Sequence, residues 1–116
     1  MTVKLKPKQT IIALDVSSLE ETKDLLSIVD KDLFRLKVGK QLFTSQGPKA
    51  IDKLRSLGFD IFLDLKLHDI PNTVSKSLEN ICNLGVWMSN IHLLGGQEMI
   101  EAASSTVKGI NSEMIL

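Results

Sequence analysis

The sequence predicts an α/β protein built on a parallel sheet, and three observations carry that reading. Short apolar runs alternate with amphipathic stretches four times, at about 22–29 residues per unit, which suits a strand and its crossover helix. Each apolar run has a polar residue near its C-terminal end: Asp15, Lys37, the pair Asp64 and Lys66, and His92. In parallel sheets those ends meet at one edge or one barrel mouth, where sites form. The faces also keep phase. Ile12, Leu14 and Val16 share one side of the first strand with Asp15 opposite; Ile61, Leu63 and Leu65 share one side of the third with Asp64 and Lys66 opposite. An open doubly wound sheet and a closed (βα)8 barrel both satisfy this pattern. No Gly-x-Gly-x-x-Gly follows the first strand, which lowers the dinucleotide-binding form of the open sheet.

The elements follow in order. Residues 11–16 read as the first strand. Ser17 and Ser18, with Glu20 and Glu21 three residues after each, form a capping-box pattern for a helix over 19–29, with Leu25, Leu26 and Val29 as its buried stripe. Residues 33–38 are the second strand, ended by Gly39. A helical stretch with Leu42, Phe43, Ala50, Ile51 and Leu54 follows; Gly47-Pro48 interrupts it, Pro48 restarts it in a first turn, and Gly58 closes it. Residues 60–65 are the third strand. Its helix spans 72–84, with Val74, Leu78, Ile81 and Cys82 inward and Gly85 as the stop. Residues 86–93 form the fourth strand, Gly95-Gly96 turns the chain, and a helix covers 97–107. Met114-Ile115-Leu116 begins a fifth strand. Trp87 and the methionines read as packing.

Composition sets bounds on function. At 116 residues the chain suits a single domain over 1–116 with a real core. Fourteen basic residues balance fourteen acidic ones, so no global field attracts nucleic acid or an anionic membrane, and any anion site is local. No apolar run approaches the roughly 18–20 residues a membrane helix needs. Residues 1–10 have lysines but no apolar core, unlike a signal peptide. The one cysteine, Cys82, forms no internal disulfide and reads as inert core, as expected in a reducing cytosol.

Chemistry concentrates in Phe62-Leu63-Asp64-Leu65-Lys66-Leu67-His68-Asp69-Ile70-Pro71-Asn72-Thr73. Asp64 and Lys66, two apart on a strand, project together, and Asp69 lies in the turn before a Pro-Asn-Thr helix start. Burying charges here costs desolvation energy that packing alone does not return. Singly, several of these residues have ordinary readings. Asp15 serves equally as a helix cap, Lys37 as a snorkelling surface lysine, His92 as a satisfied strand-end histidine. His68 has no second His or Cys at ligand spacing, so no metal site is expected. Gly95-Gly96 reads as turn chemistry rather than a phosphate cradle. Together, Lys37, Asp64, Lys66 and neighbouring carboxylates suggest a fixed array. Opposite charges about 4 Å apart interact by roughly 4 kcal/mol at an effective dielectric of about 20. Such an array keeps a lysine protonated beside a developing carbanion.

At these residues the chain resembles the orotidine 5'-phosphate decarboxylase family. Ile12-Ala13-Leu14-Asp15 resembles its first strand. Leu36-Lys37-Val38-Gly39 with Leu42-Phe43 and Gly47-Pro48 resembles its second unit. Phe62 to Thr73 resembles its central motif, and Gly85-Val86-Trp87-Met88 with Asn90-Ile91-His92-Leu93-Leu94-Gly95-Gly96 its fourth unit. The resemblance implies a (βα)8 TIM barrel, decarboxylation of orotidine 5'-phosphate to UMP in a cytoplasmic homodimer, and neither metal nor organic cofactor. It implies that Asp15 and Lys37 bind the ribose hydroxyls, Asp64 sits against the substrate carboxylate, and Lys66 donates the proton that replaces CO2 at C6. It further implies that Asp69, Ile70 and Thr73 reach into a partner subunit's site.

A sister group, the metal-dependent hexulose-phosphate synthases and keto-gulonate-phosphate decarboxylases, shares the barrel and the Asp-x-Lys-x-x-Asp pattern. Its members have a metal-binding Glu where this chain has Lys37, and they lack Asp-Ile-Pro-Asn-Thr. By resemblance the chain stops at the family's fifth strand, which predicts a fragment of a longer enzyme. The alternative is a truncated half-barrel that binds nucleotide or self-associates without catalysis.

Overall fold

The computed structural model describes residues 4–110 and 113–116. Residues 1–3 of the lysine-bearing segment, with Met1 among the methionines assigned to packing, lie outside the described residues. The strands are β1 (Thr10–Ala13), β2 (Phe34–Gly39), β3 (Ile61–Leu67) and β4 (Met88–Ile91). The helices are α1 (Lys23–Ile28), α2 (Lys40–Gln46), α3 (Pro48–Ser56), α4 (Pro71–Asn83) and α5 (Gln97–Gly109), with 3-10 turns at Leu19–Thr22 and Leu93–Gly95. The sheet is parallel, in the order β1-β2-β3-β4. By compactness the chain forms two units, Met1–Phe62 and Leu63–Leu116.

In the first unit β1 pairs with β2 in parallel, Thr10 opposite Phe34 and Ala13 opposite Lys37. The Leu36 amide donates to the Asp60 carbonyl at 3.1 Å, joining β2 to the start of the third strand. Leu36, Val38, Leu42, Ile51, Leu54 and Ile61 are fully buried. The break between α2 and α3 falls at Gly47-Pro48 as the sequence indicates. Gly47 adopts φ 63°, ψ −156°, and Pro48 begins α3. At the N-terminal end of the strands, Asp60 accepts from Lys8 Nζ at 2.8 Å and faces Arg35 Nε at 3.5 Å.

The first helix differs from expectation. Leu19–Thr22 is a 3-10 turn, and α1 has six residues, none buried. Leu25 is 38% exposed while Leu26 and Val29 are half-buried, so the expected stripe is only partly covered. Leu19, Leu26, Leu54 and Leu57 instead line an open groove of about 360 Å3, because so short a helix does not lie flush on α3. The capping box is also incomplete: Ser18 Oγ meets the Glu21 carboxylate at 3.4 Å, and no side chain caps the backbone.

In the second unit the rest of β3 pairs with β4. Val74, Leu78 and Ile81 of α4 and Met99, Ala103 and Val107 of α5 recur at helical spacing and are buried, as α4 packs on α5. Cys82 is only half-buried, because it sits one position beyond that stripe. The fourth strand is shorter than expected, since Leu93–Gly95 coils into a 3-10 turn capped by His92. Where a fifth strand is expected, Ile115 makes an isolated parallel bridge to Met88, and the Ser89 amide donates to the Ile115 carbonyl at 2.9 Å. Ser89, 1% exposed, also donates its hydroxyl to the Leu63 carbonyl at 2.9 Å, which satisfies a buried polar group.

Candidate active site

The polar residues at the strand ends fall into two pairs. In the first unit Asp15 lies just past β1, and its carboxylate stands 4.0 Å from Lys37 Nζ on β2. Register produces this meeting: Ala13 is opposite Lys37, and the Leu14 amide donates to the Lys37 carbonyl at 2.9 Å. Two α2 amides tie the segment after β1 in place. Gln41 Nε2 donates to Ser17 Oγ at 3.1 Å, and the Leu19 amide donates to Gln46 Oε1 at 3.0 Å.

In the second unit Lys66 Nζ donates to Asp64 Oδ1 at 2.7 Å. The Asp64 side chain is 7% exposed and the Lys66 side chain 54% exposed, so a buried carboxylate holds a solvent-reaching ammonium. That contact is a short, charge-assisted hydrogen bond. Alternation along the strand anticipates the pair, but the backbone adds something that alternation does not. Lys66 has φ 50°, and only Lys8 shares a positive φ among the described non-glycine residues. A left-handed lysine within a strand costs on the order of 1–2 kcal/mol. Asn90 of β4 supports it. Asn90 Oδ1 accepts the Lys66 amide at 2.9 Å, and Asn90 Nδ2 donates to Asp64 Oδ1 at 2.8 Å.

Asp69 and Ile70 are exposed beyond β3, Asp69 Oδ1 accepting the Ile70 amide at 2.7 Å. Thr73, in the first turn of α4, is exposed as well. His68 and His92, weighed separately in the sequence, stack with ring centroids 4.8 Å apart. His92 Nδ1 accepts the Leu94 amide at 3.2 Å, which makes it a cap for the following turn. Among the described residues no three His, Cys, Asp or Glu side chains gather to hold a metal, and no helix is long and apolar enough to cross a membrane.

A parallel α/β chain with lysine–aspartate pairs at the C-terminal ends of its strands carries its polar side chains where sites form in such folds. The family model of the orotidine 5'-phosphate decarboxylase / HUMPS family matches residues 8–116, and the chain belongs to that family. An orotidine 5'-phosphate decarboxylase of Saccharophagus degradans is 48% identical over 108 residues, covering 93% of this chain and 45% of that protein. One from Nitrosomonas eutropha is 46% identical over 111 residues, covering 96% and 48%. Among solved structures, orotidine 5'-phosphate decarboxylase from Lactobacillus acidophilus superposes with TM-score 0.77 at 40% identity, over 87% of this chain and 46% of that one. The Methanocaldococcus jannaschii protein, complexed with inhibitor BMP, superposes with TM-score 0.80 at 24% identity over 94% and 51%, a likeness of fold. The α/β class and the TIM-barrel family expected from the sequence agree with these neighbours. The chain spans about half the length of the curated relatives it matches.

Proposed function

We propose that the polypeptide carrying this chain decarboxylates orotidine 5'-phosphate to UMP, as the last step of pyrimidine nucleotide synthesis. The observation that carries the reading is the Asp64–Lys66 hydrogen bond, an ammonium fixed on a buried carboxylate at a strand end. The names of the relatives in the family support the substrate. In this reading the C6–carboxylate bond breaks and its electron pair stays on C6. Lys66 passes a proton to C6, CO2 leaves, and solvent reprotonates the amine. A preorganised ammonium stabilises the carbanion as charge develops, which favours the transition state over the ground state. Asp64 keeps Lys66 aimed and faces the departing carboxylate. Lys37, held near Asp15, counts with Asp64 and Lys66 among the catalytic groups of this reading, and Asp15 and Lys37 bind the ribose hydroxyls. The reading includes one domain, no metal and no organic cofactor.

The proposal extends to a cytoplasmic homodimer with shared sites. The exposure of Asp69, Ile70 and Thr73 beyond β3 supports this reading, in which they complete the site of a second subunit.

The test is Lys66→Ala in the full natural polypeptide carrying this sequence. Orotidylate turnover, followed by absorbance, is expected to vanish while calorimetry still detects UMP binding. Unchanged turnover would remove the mechanism. Lys66→Ala subunits mixed with Asp69→Ala subunits are expected to regain activity, because a hybrid dimer rebuilds one intact site. No recovery with hybrids confirmed by mass would rule out sharing.

A further inference from the structure

We infer that Asn90 is a positioning residue for the reaction proposed above: its amide sets both the backbone of Lys66 and the carboxylate that Lys66 bonds. The inference rests on that functional reading for its kinetic arm. Asn90 does two jobs with the two ends of one planar group. Its oxygen takes the Lys66 amide at 2.9 Å, and its nitrogen donates to Asp64 Oδ1 at 2.8 Å, the same oxygen that accepts from Lys66 Nζ at 2.7 Å. The three contacts close a ring through β3 and β4. Within that ring Lys66 holds φ 50°, a conformation lysine does not choose for itself. A strand amide normally bonds a main-chain carbonyl; here a side chain accepts it. The amide's planarity ties the tilt of Asp64 to the backbone of Lys66, so the ammonium starts from one place. Misplacement of a reacting group by about 1 Å costs on the order of 100-fold in rate.

Donor and acceptor positions also say which replacements work. Alanine removes both contacts. Ionised aspartate keeps the acceptor for Lys66 but sets a second negative charge against Asp64. Protonated aspartic acid reproduces the asparagine pattern, with a carbonyl for the Lys66 amide and a hydroxyl for Asp64. The introduced carboxyl would face Asp64 and Lys66 on β3, with His92 just past the end of its own strand and Lys108 of α5 lining the same groove. Two carboxylates sharing a site raise the pKa of one of them, so protonation comes within reach as pH falls.

The experiment uses Asn90→Ala and Asn90→Asp in the full natural polypeptide carrying this sequence. Asn90→Ala is expected to lower kcat about 100-fold while the Kd for UMP stays within about threefold, the mark of lost alignment rather than lost binding. Asn90→Asp is expected to be slow at pH 8 and to gain at least about tenfold relative to the parent by pH 5. A kcat for Asn90→Ala within threefold of the parent overturns the inference. If Asn90→Ala does not fold, the Asn90→Asp profile decides alone, and a profile parallel to the parent's overturns it. If the parent itself does not decarboxylate orotidylate, the functional reading fails, and hydrogen exchange decides the positioning. Loss of at least about tenfold protection at the Lys66 amide in Asn90→Ala, or in Asn90→Leu where alanine does not fold, with Leu63 unchanged, upholds it; unchanged protection at Lys66 overturns it.

Discussion

Replacing Lys66 by glycine is expected to leave the chain more stable than replacing it by alanine. Both substitutions remove the ammonium from Asp64. That loss is on the order of 1–3 kcal/mol, set by a buried carboxylate that keeps its Asn90 donor and by a lysine that is half in solvent. The loss is common to the two variants and drops out of their difference. What remains is the backbone at φ 50°. Alanine there retains the left-handed strain, about 1–2 kcal/mol, which glycine does not bear. Glycine gives back about 0.5–1 kcal/mol through the greater freedom of its unfolded chain. Taken at mid-range, the balance favours glycine by about 0.75 kcal/mol, within a span of about 0–1.5 kcal/mol. Phe62, on the same strand with ordinary φ, supplies the control, where glycine is expected to be worse than alanine by about 0.5–1 kcal/mol. Urea unfolding of the four variants with equal m-values reads the comparison directly. A Lys66→Gly variant that is less stable than Lys66→Ala, by the Phe62 margin, would show that no strain is held at Lys66.

Other outcomes follow from packing and backbone. Leu78→Ala empties a fully buried position on α4 and is expected to cost about 2–5 kcal/mol, whereas Leu25→Ala, on the uncovered face of α1, is expected to stay within about 0.5 kcal/mol; equal costs in urea titration would contradict the burial described. Gly47→Ala forces a side chain into φ 63°, ψ −156° and is expected to cost about 1–3 kcal/mol, although a Cβ there would touch nothing within 4 Å. An unchanged thermal midpoint for that variant would refute a backbone origin.

The sequence makes the alternation of strands and helices readable because burial imposes period 2 on one and 3.6 on the other. Leu36, Val38, Leu78 and Ile81 sit inside as their spacing requires. The stripe on α1 misled because periodicity shows which residues could share a face, not whether another element is long enough to cover it. Asp64 and Lys66 were legible because charges inside an apolar strand are costly without a purpose. Asn90 carried the same kind of signal, a polar residue in the middle of Met88-Ser89-Asn90-Ile91, but an uncharged amide is far less costly to bury than a carboxylate and so stands out less. The left-handed backbone of Lys66 left no trace in composition. It arises from a hydrogen bond to a side chain 24 positions away, which local pattern does not encode. The histidine stack was missed for the same reason, since His68 and His92 approach only when β3 and β4 lie side by side.

The two glutamines of α2 that hold the segment after β1 have a structural corollary. Asp15 and Lys37 come from different strands, yet the loop of one is laced to the helix of the other, so the couple travels as a mechanical whole. Loss of Gln41 or of Ser17 removes the same exposed contact, so either change would loosen the segment that carries Asp15. Insertions between Val16 and Leu19 would uncouple Asp15 from Lys37 even though that stretch holds no fully buried residue.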